Sequence, residues 1–569
     1  MMIARAGCAV SKLSFAATTN FHFKSLPLKT LSVSVGVQER TFCRVNCEKR
    51  NMAVQLRESV ELTEVEEKIF ERLRKVLLHF NLPTQLRVAG GWVRDKLLGK
   101  DSSDIDIALD DMLGREFCDK VNEYLANAGE KTQGVGVIQC NPDQSKHLET
   151  ARMRIYDMWI DFVNLRSETY VEHSRIPHMK FGTAKEDAYR RDLTINSLFY
   201  NINTGSVEDL TGRGISDLKA GVIATPLPPK DTFLDDPLRV LRAIRFGARF
   251  EFKLDDDLKK AVVDKDVRAA LATKISPERI GHEIDLMVSG NQPVKAIGQI
   301  EELQLFWTVF CLPQNLEAKL PQDCERACVK SLEALSEVLG KVGFSTLSDD
   351  HGRLCLYSAL FLPLRNVNYS NRKGKTIPVV SAIIKDSLKL KTKDADMVLS
   401  LHDAGEEFTG LIDILISDKH AGNLTPSINE EDDLGISLMS TKCIQTGLLL
   451  MKIKELWRAA VFLSTLIKHP VAEYREILDS KEMAEKRASL YISIEKSVLQ
   501  LGLENVWEMK HLLDGNDIIH ELGLKKGGTE VKEWKERIRK WQLANLSGTR
   551  EECLEWLHQV RAKRLKTDS

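Results

Sequence analysis

The sequence predicts an α+β chain in which a mixed-sheet head over residues 52–225 precedes a long all-helical remainder. Three observations carry this. Short runs with two-residue apolar alternation, separated by glycine and polar turns, are confined to the first part of the chain. From Asp236 onward, beyond the proline-rich break at 226–229, nearly every segment repeats its apolar residues at helical spacing. The length of 569 residues also exceeds one core, since a domain usually holds about 100–200 residues.

The elements follow in order. Residues 63–80 place apolar side chains at three- and four-residue intervals, the pattern of one amphipathic helix. Residues 86–91 read as a short strand entering a Gly-Gly turn, and residues 92–98 as a helix that Gly99 can end in the left-handed conformation. Strict alternation resumes at 103–109, and further strands are expected at 134–140, 150–156 and 158–165, joined by polar turns such as 141–145. Few helices are expected before Thr225, and no repeat of fixed period is visible.

Composition narrows the function classes. Lys and Arg total 81 against 82 Asp and Glu, so any nucleic-acid surface has to be local. The cysteine pairs Cys43/Cys47 and Cys324/Cys328 lack the further Cys or His of a zinc site and read as reduced structural thiols. The longest uncharged apolar stretch after the leader, 354–364, is far shorter than the roughly 20 residues that span a bilayer, so no membrane partner is expected. No feature calls for an obligate protein partner.

Residues 1–51 are different in kind. Arg5, Lys12, Lys24, Lys29, Arg40 and Arg44 lie among Ser, Thr and Ala, with no acid before Glu39. This is the composition of a transit peptide for a mitochondrion or chloroplast, with a disordered basic tail as the alternative. Initiation at Met52 would give a leaderless form for the cytoplasm and nucleus. Arg561, Lys563, Arg564 and Lys566 offer either a nuclear address or a solvated terminus.

In Asp104-Ile-Asp106 the strand period puts both carboxylates on one face and Ile105 and Ile107 on the other. Carboxylates that close repel unless a cation joins them, and Mg²⁺ suits, although Asp-x-Asp also occurs in surface turns. Gly90 and Gly91 lie one helix earlier, where bare backbone and the N–H groups of a helix start can meet a triphosphate and Arg94 can add charge. Arg191 can reach a phosphate and Asp192 can accept from a ribose hydroxyl; a simple salt bridge beside Asn196 is the plainer reading.

Asp236 and Arg239, one helical turn apart, set an acceptor beside a planar donor fork. Cytosine and adenine carry an amino donor beside a ring-nitrogen acceptor, whereas uracil and guanine carry a carbonyl beside an N–H. Such a pair accepts C and A and leaves U and G with unpaired groups. Arg242, Arg245 and Arg249 continue the same face as a basic stripe, which could also be merely solvated. Asp161, read as a strand-edge carboxylate, is either a third metal ligand or structural.

Together these residues resemble the motifs of the class II tRNA nucleotidyltransferases, a branch of the DNA polymerase β superfamily. Gly90-Gly-Trp-Val-Arg-Asp-Lys-Leu-Leu-Gly99 with Asp104-Ile-Asp106 is similar to motif A, and Tyr189-Arg-Arg-Asp-Leu-Thr-Ile-Asn-Ser-Leu198 to motif B. Asp209-Leu-Thr-Gly-Arg-Gly-Ile-Ser-Asp-Leu218 looks like motif C, Asp235-Asp-Pro-Leu-Arg239 like motif D and Ile275-Ser-Pro-Glu-Arg-Ile280 like motif E. Five motifs in one order over half the chain make a specific match.

The resemblance implies a polymerase-β-like head over 52–225, a base-reading helical neck over 226–290, a helical body over 291–425 and a tRNA-binding tail over 426–569. It implies that Asp104 and Asp106 hold two Mg²⁺ ions and are catalytic. Gly90, Gly91, Arg94, Arg191, Asp192, Asn196, Asp236, Arg239, Arg242 and Arg245 would bind CTP and ATP, with Asp192 on the sugar. The tRNA would be held through its 3′ end and elbow region. Residues 512–517 and 522–528, with Lys525 and Lys526, look like the tail of related enzymes. The expected reaction adds C, C and A to the tRNA by attack of its 3′-hydroxyl on the α-phosphate.

Three rival readings fit parts of the same sequence. A bacterial-type poly(A) polymerase shares the head and motifs, and a non-catalytic RNA-binding protein could keep the fold. A metal phosphohydrolase would need partners for His402-Asp403, which reads instead as a solvent-facing dipeptide.

Overall fold

The computed structural model describes residues 55–138, 150–169, 178–343, 346–417, 438–470, 480–524 and 526–567. The leader, Met52, the turn at 141–145, the polar stretch at 426–433 and Lys525 lie outside them, as do the last two residues of the strand expected at 134–140.

The head opens with α1 (Glu64–His79), started by a capping box in which Thr63 and Glu66 satisfy each other's backbone N–H. Its apolar stripe, Ile69, Phe70, Leu73 and Val76, is fully buried. Then come β1 (Leu86–Ala89), α2 (Gly91–Leu97), β2 (Ile105–Leu109), α3 (Gly114–Asn127), β3 (Val135–Ile138), β4 (Thr150–Ile155) and β5 (Met158–Asn164). The hairpin β6 (Arg166–Thr169) and β7 (His178–Phe181), α4 (Ala184–Tyr189), β8 (Phe199–Asn201), β9 (Ser206–Glu208), α5 (Gly214–Ala220) and β10 (Val222–Ile223) complete it. Gly99 follows α2 at φ +70°, the left-handed turn expected there.

Seven strands form one sheet in the order β3-β4-β5-β2-β1-β8-β9. The pair β2–β5 runs parallel and the other pairs antiparallel, so the sheet is mixed. Alternation sorts its two faces. Ala151, Met153, Ile155, Ile160 and Phe162 turn inward, with Phe162 packed against Phe117 of α3 at a ring separation of 5.3 Å. Each of these but Ala151 contributes about 1.5–3 kcal/mol by leaving water. The intervening residues, Arg152, Arg154, Trp159 and Asp161, lie on the opposite face.

Two expectations need correction here. The head is richer in helix than predicted: α3 is 14 residues long, because Phe117, Cys118, Val121 and Leu125 make an apolar stripe that strand-focused reading passed over. Asp161 is not on a strand edge, because β5 sits inside the sheet between β4 and β2.

Past the proline-rich break the chain turns helical with α6 (Pro229–Asp235), whose first position is a proline with φ suited to a helix start. Next are α7 (Leu238–Phe250), β11 (Lys253–Leu254), α8 (Asp256–Val262), α9 (Lys265–Lys274) and α10 (Pro277–Val288), with α10 packed on α7. The parallel ribbon β10–β11 ties the end of the head to this segment.

Helices Cys324–Val342, Asp349–Leu360, Thr392–Ile416, Trp457–Lys468 and Ser480–Gln500 then pack into a core continuous with that of the head. A second core, built on Ile518, Trp534, Ile538 and Leu557, holds the last three helices, Gly515–Leu522, Thr529–Ala544 and Arg550–Thr567. The remainder is thus helical as predicted, apart from short ribbons such as Asn368–Ser370 with Thr376–Pro378. Among the described residues no helix is long and apolar enough to cross a membrane.

His402 is not solvent-facing. Its ring is 3% exposed and Nε2 meets the Ser358 carbonyl at 2.7 Å, because the body helices close over that side of Thr392–Ile416.

Candidate active site

The site grows from the middle of the sheet. Ile105 and Ile107 anchor β2 in the core, leaving Asp104 exposed and Asp106 half-buried on the open face. In the register of β2 with β5, Asp106 stands beside Asp161. Burial, then Asp104, then Asp161 push the Asp106 carboxyl up to about 6, against the opposing pull of Arg191 and Arg152. A hard cation would relieve that crowding. Asp161 is taken by Arg152, whose Nε and Nη2 donate to its two oxygens at 2.5 and 2.6 Å. No cluster of three or more His, Cys, Asp or Glu side chains among the described residues forms a ligand set. Asp104 and Asp106 stand together on this face, a pair that would suit Mg²⁺, an ion that often takes one or two carboxylates and fills its shell with water and phosphate oxygens.

On the β1 and β8 side lies the glycine turn. Gly90 sits at φ +72° and ψ −116°, and its N–H donates to the Leu198 carbonyl at 2.8 Å. A Cβ there would lie 2.8 Å from Arg191 Nη1 and 3.1 Å from the Asn196 carbonyl oxygen, so only glycine fits. Gly91 begins α2. Arg94, expected to face a triphosphate, is instead 3% exposed. Its Nε and Nη2 donate to Asp95 at 2.9 and 3.0 Å, its Nη1 donates to Asn196 Oδ1, and it lies 4.7 Å from the Phe250 ring centroid. It braces the turn against α7.

Arg191 donates from Nε and Nη2 to Asp187 Oδ2 at 3.0 and 2.8 Å, keeping a part-exposed guanidinium beside Gly90. Arg190 takes the other Asp187 oxygen and reaches Glu168 at 3.1 Å. Burial alone would raise the Asp187 carboxyl, but Arg191 and Arg190 outweigh it and hold it below the ordinary carboxylate range. Asp192 accepts from Asn196 Nδ2 at 3.1 Å and from Arg242 Nε at 2.7 Å. Burial again works toward raising it, and Arg242, Asn196 and Arg239 hold it well below the usual range, so it is a carboxylate.

Asp236 and Arg239 are arranged differently from the sequence expectation. Asp236 is not a helical residue one turn from Arg239. It lies in extended backbone (φ −133°, ψ 97°) at the break before Pro237, because proline disfavours helical geometry in the residue preceding it. Its carboxylate accepts from Arg279 Nη2 at 3.0 Å, while Arg239 lies in the first turn of α7 and donates to the Arg190 carbonyl at 2.7 Å. Arg245 donates to Glu283 Oε2 at 2.6 Å, and Arg242 Nη1 stands 3.7 Å from the same carboxylate. The stripe on α7 is therefore neither free nor merely solvated.

Sequence reasoning missed Asp187, Glu168, Arg279 and Glu283. Arg279 stood inside the fifth motif without an assigned role. Glu283 carried one signal, its place one turn further along the same face of α10.

A carboxylate pair on a central strand, a glycine turn and a cage of fixed charged side chains define a nucleotidyltransferase of the polymerase-β type. The Poly A polymerase head domain model matches residues 86–224. The Bacillus stearothermophilus CCA-adding enzyme solved in complex with CTP shares the fold over 89% of this chain and 100% of its own, with TM-score 0.56 and 19% identity. The mitochondrial CCA tRNA nucleotidyltransferase of Saccharomyces cerevisiae is 34% identical over 89% of this chain and 95% of its own length. A tRNA nucleotidyltransferase of Schizosaccharomyces pombe is 33% identical over 88% and 99%. The chain belongs to the CCA tRNA nucleotidyltransferase family.

Proposed function

We propose that the protein adds C, C and A, from CTP and ATP, to the 3′ end of tRNA without a nucleic-acid template. The observation that carries this is the cage itself. Asp236, Arg239, Arg242 and Arg245 are each tied to a protein partner, Arg279, the Arg190 carbonyl, Asp192 and Glu283 respectively. Polar groups held that firmly can discriminate hydrogen-bonding edges as a template strand would, because a wrong base leaves them unpaired.

Asp104 and Asp106 would hold two Mg²⁺ ions, which supply activation of the attacking hydroxyl and neutralisation of the triphosphate. The chain's own residues do the rest. Arg191, fixed by Asp187, places positive charge beside the open backbone of Gly90 and Gly91, where the phosphates bind. Asp192, held as a carboxylate, accepts from the ribose. Asp236 and Arg239 face the base, with Arg242 and Arg245 behind them. Arg94 acts by holding Asn196, and through it Asp192. The RNA 3′-hydroxyl loses its proton to water, its oxygen bonds to the α-phosphorus, and the bond from that phosphorus to the oxygen bridging to the β-phosphate breaks as pyrophosphate leaves. The tRNA elbow is assigned to the separate core built on Ile518, Trp534 and Leu557 at the end of the chain.

A mitochondrial location is inferred from the S. cerevisiae relative's name and from the composition of residues 1–51; plastid delivery, and a cytoplasmic and nuclear form from Met52, extend the same reading.

The test incubates protein lacking the leader with Mg²⁺ and each nucleotide, separately and mixed, on a tRNA transcript ending before CCA. Addition of C, C and A followed by a stop supports the proposal. Long A tails on diverse RNAs would make it a poly(A) polymerase, A alone a partial enzyme, and no incorporation a binding protein.

A further inference from the structure

We propose that Trp159 is the platform on which the 3′-terminal nucleotide of the RNA stacks, with Arg154 beside it to meet the terminal phosphate. This deepens the nucleotidyltransferase reading and rests on it. The sheet order is the starting point. The groups assigned to the incoming nucleotide lie on the β1 and β8 flank of β2: Gly90 follows β1, and Arg191 and Asn196 precede β8. In an in-line displacement the attacking hydroxyl and the departing pyrophosphate stand on opposite sides of the α-phosphate. With the triphosphate on the β1 flank, the RNA end has to arrive over β5 and β4.

That flank is built for it. Ile105 pairs with Ile160 and Asp106 with Asp161, so one residue earlier on each strand stand Asp104 and Trp159. Alternation buries Ile160 and Phe162 and puts Trp159 on the face of the carboxylates, where it is 54% exposed. Directly across from it in β4 is Arg154, and the next pair on that face is Arg152 with Asp161. Arg152 is held by Asp161 and lies within electrostatic reach of Asp104 and Asp106 as well. The paired carboxylates thus have Arg191 on the nucleotide side and Arg152 on the other.

β-Propensity explains a tryptophan in a strand but not an indole left in water beside three carboxylates. Indole faces flanked by arginines are how proteins hold single-stranded nucleic acid, the ring taking a base of any identity and the cation taking a phosphate. Sequence-tolerant stacking suits a site whose terminal base is first the last base of the truncated RNA and then C.

The experiment uses the full chain with a 3′-truncated tRNA and compares Trp159→Ala, Trp159→Phe and Trp159→Leu. Steady-state kinetics with CTP give KM for each substrate, and equilibrium binding of the same labelled tRNA, read by fluorescence anisotropy without nucleotide, gives Kd independently of turnover. Loss of one stacked base is expected to raise both the RNA KM and Kd of Trp159→Ala by about 5- to 100-fold, with KM for CTP and the urea midpoint unchanged. Phe should recover most of the loss and Leu should not. An unchanged Kd for Trp159→Ala, an equal rise in KM for CTP, or a Leu variant as good as Phe would overturn the proposal. Absence of incorporation by the unaltered chain bears on the activity alone, since the binding comparison still decides this assignment.

Discussion

Replacing Glu283 by glutamine tests whether the cage on α7 is set by its neighbour. Glu283 is 3% exposed and lies between two guanidiniums, 2.6 Å from Arg245 Nε and 3.7 Å from Arg242 Nη1. Glutamine keeps the shape and one acceptor for Arg245 but removes the charge. Losing a buried counter-charge costs up to about 3–5 kcal/mol, and a charge-assisted hydrogen bond is about twice as strong as a neutral one. The Arg242 side chain is 34% exposed, so water takes part of its charge and the expected loss falls to about 2 kcal/mol. Urea unfolding at pH 7.5 reads that number. Freed from Glu283, Arg242 and Arg245 should also wander, and discrimination of CTP over UTP, as the ratio of kcat/KM values, should drop about 10-fold, the equivalent of about 1.4 kcal/mol. Unchanged stability together with unchanged discrimination would refute the claim that α10 positions the base-reading face.

Three further outcomes follow from the geometry. Asp106→Ala should abolish incorporation while tRNA binding by gel shift survives, because the carboxylate serves the reacting phosphate and the helical end serves the RNA; equal loss of both would refute that division. Gly90→Ala should lose about 1–3 kcal/mol in urea unfolding from its φ of +72° and should raise KM for nucleotide by displacing Arg191; an alanine variant indistinguishable from the parent would show that the turn relaxes freely. Burial lowers the His402 ring to about 4 from an ordinary 6.5, so between those values it is neutral in the fold and takes up a proton on unfolding. Its contribution of about 3 kcal/mol is present above pH 6.5 and lost as pH falls toward 4, and His402→Gln, which keeps a donor for Ser358, should flatten the urea midpoint over that window; a parallel pH profile would refute it.

The parts legible in the sequence are those whose cause is local. Strand alternation placed Asp104 and Asp106 on one face, Gly99 ended α2, and Gly90 with Gly91 marked the turn between β1 and α2. What could not be read is what fixes the site, because its partners are far apart in the chain. Asp192 meets Arg242 50 residues away, Asp236 meets Arg279 43 away, Arg245 meets Glu283 38 away and Arg94 meets Asn196 102 away. No periodicity announces such pairs; the first three exist only once α7 lies between the head and α10, and the last only once α2 packs against the segment before β8. The same closure explains why Asp236 and Arg239 do not work as a simple helical pair: Pro237 breaks the helix between α6 and α7, and each residue is aimed by a different neighbour. A template strand reads by groups held rigid by stacking. Here rigidity comes from ion pairs that leave few of the cage's charges free to follow a wrong base, so selectivity should be lost first at the partners that hold those residues.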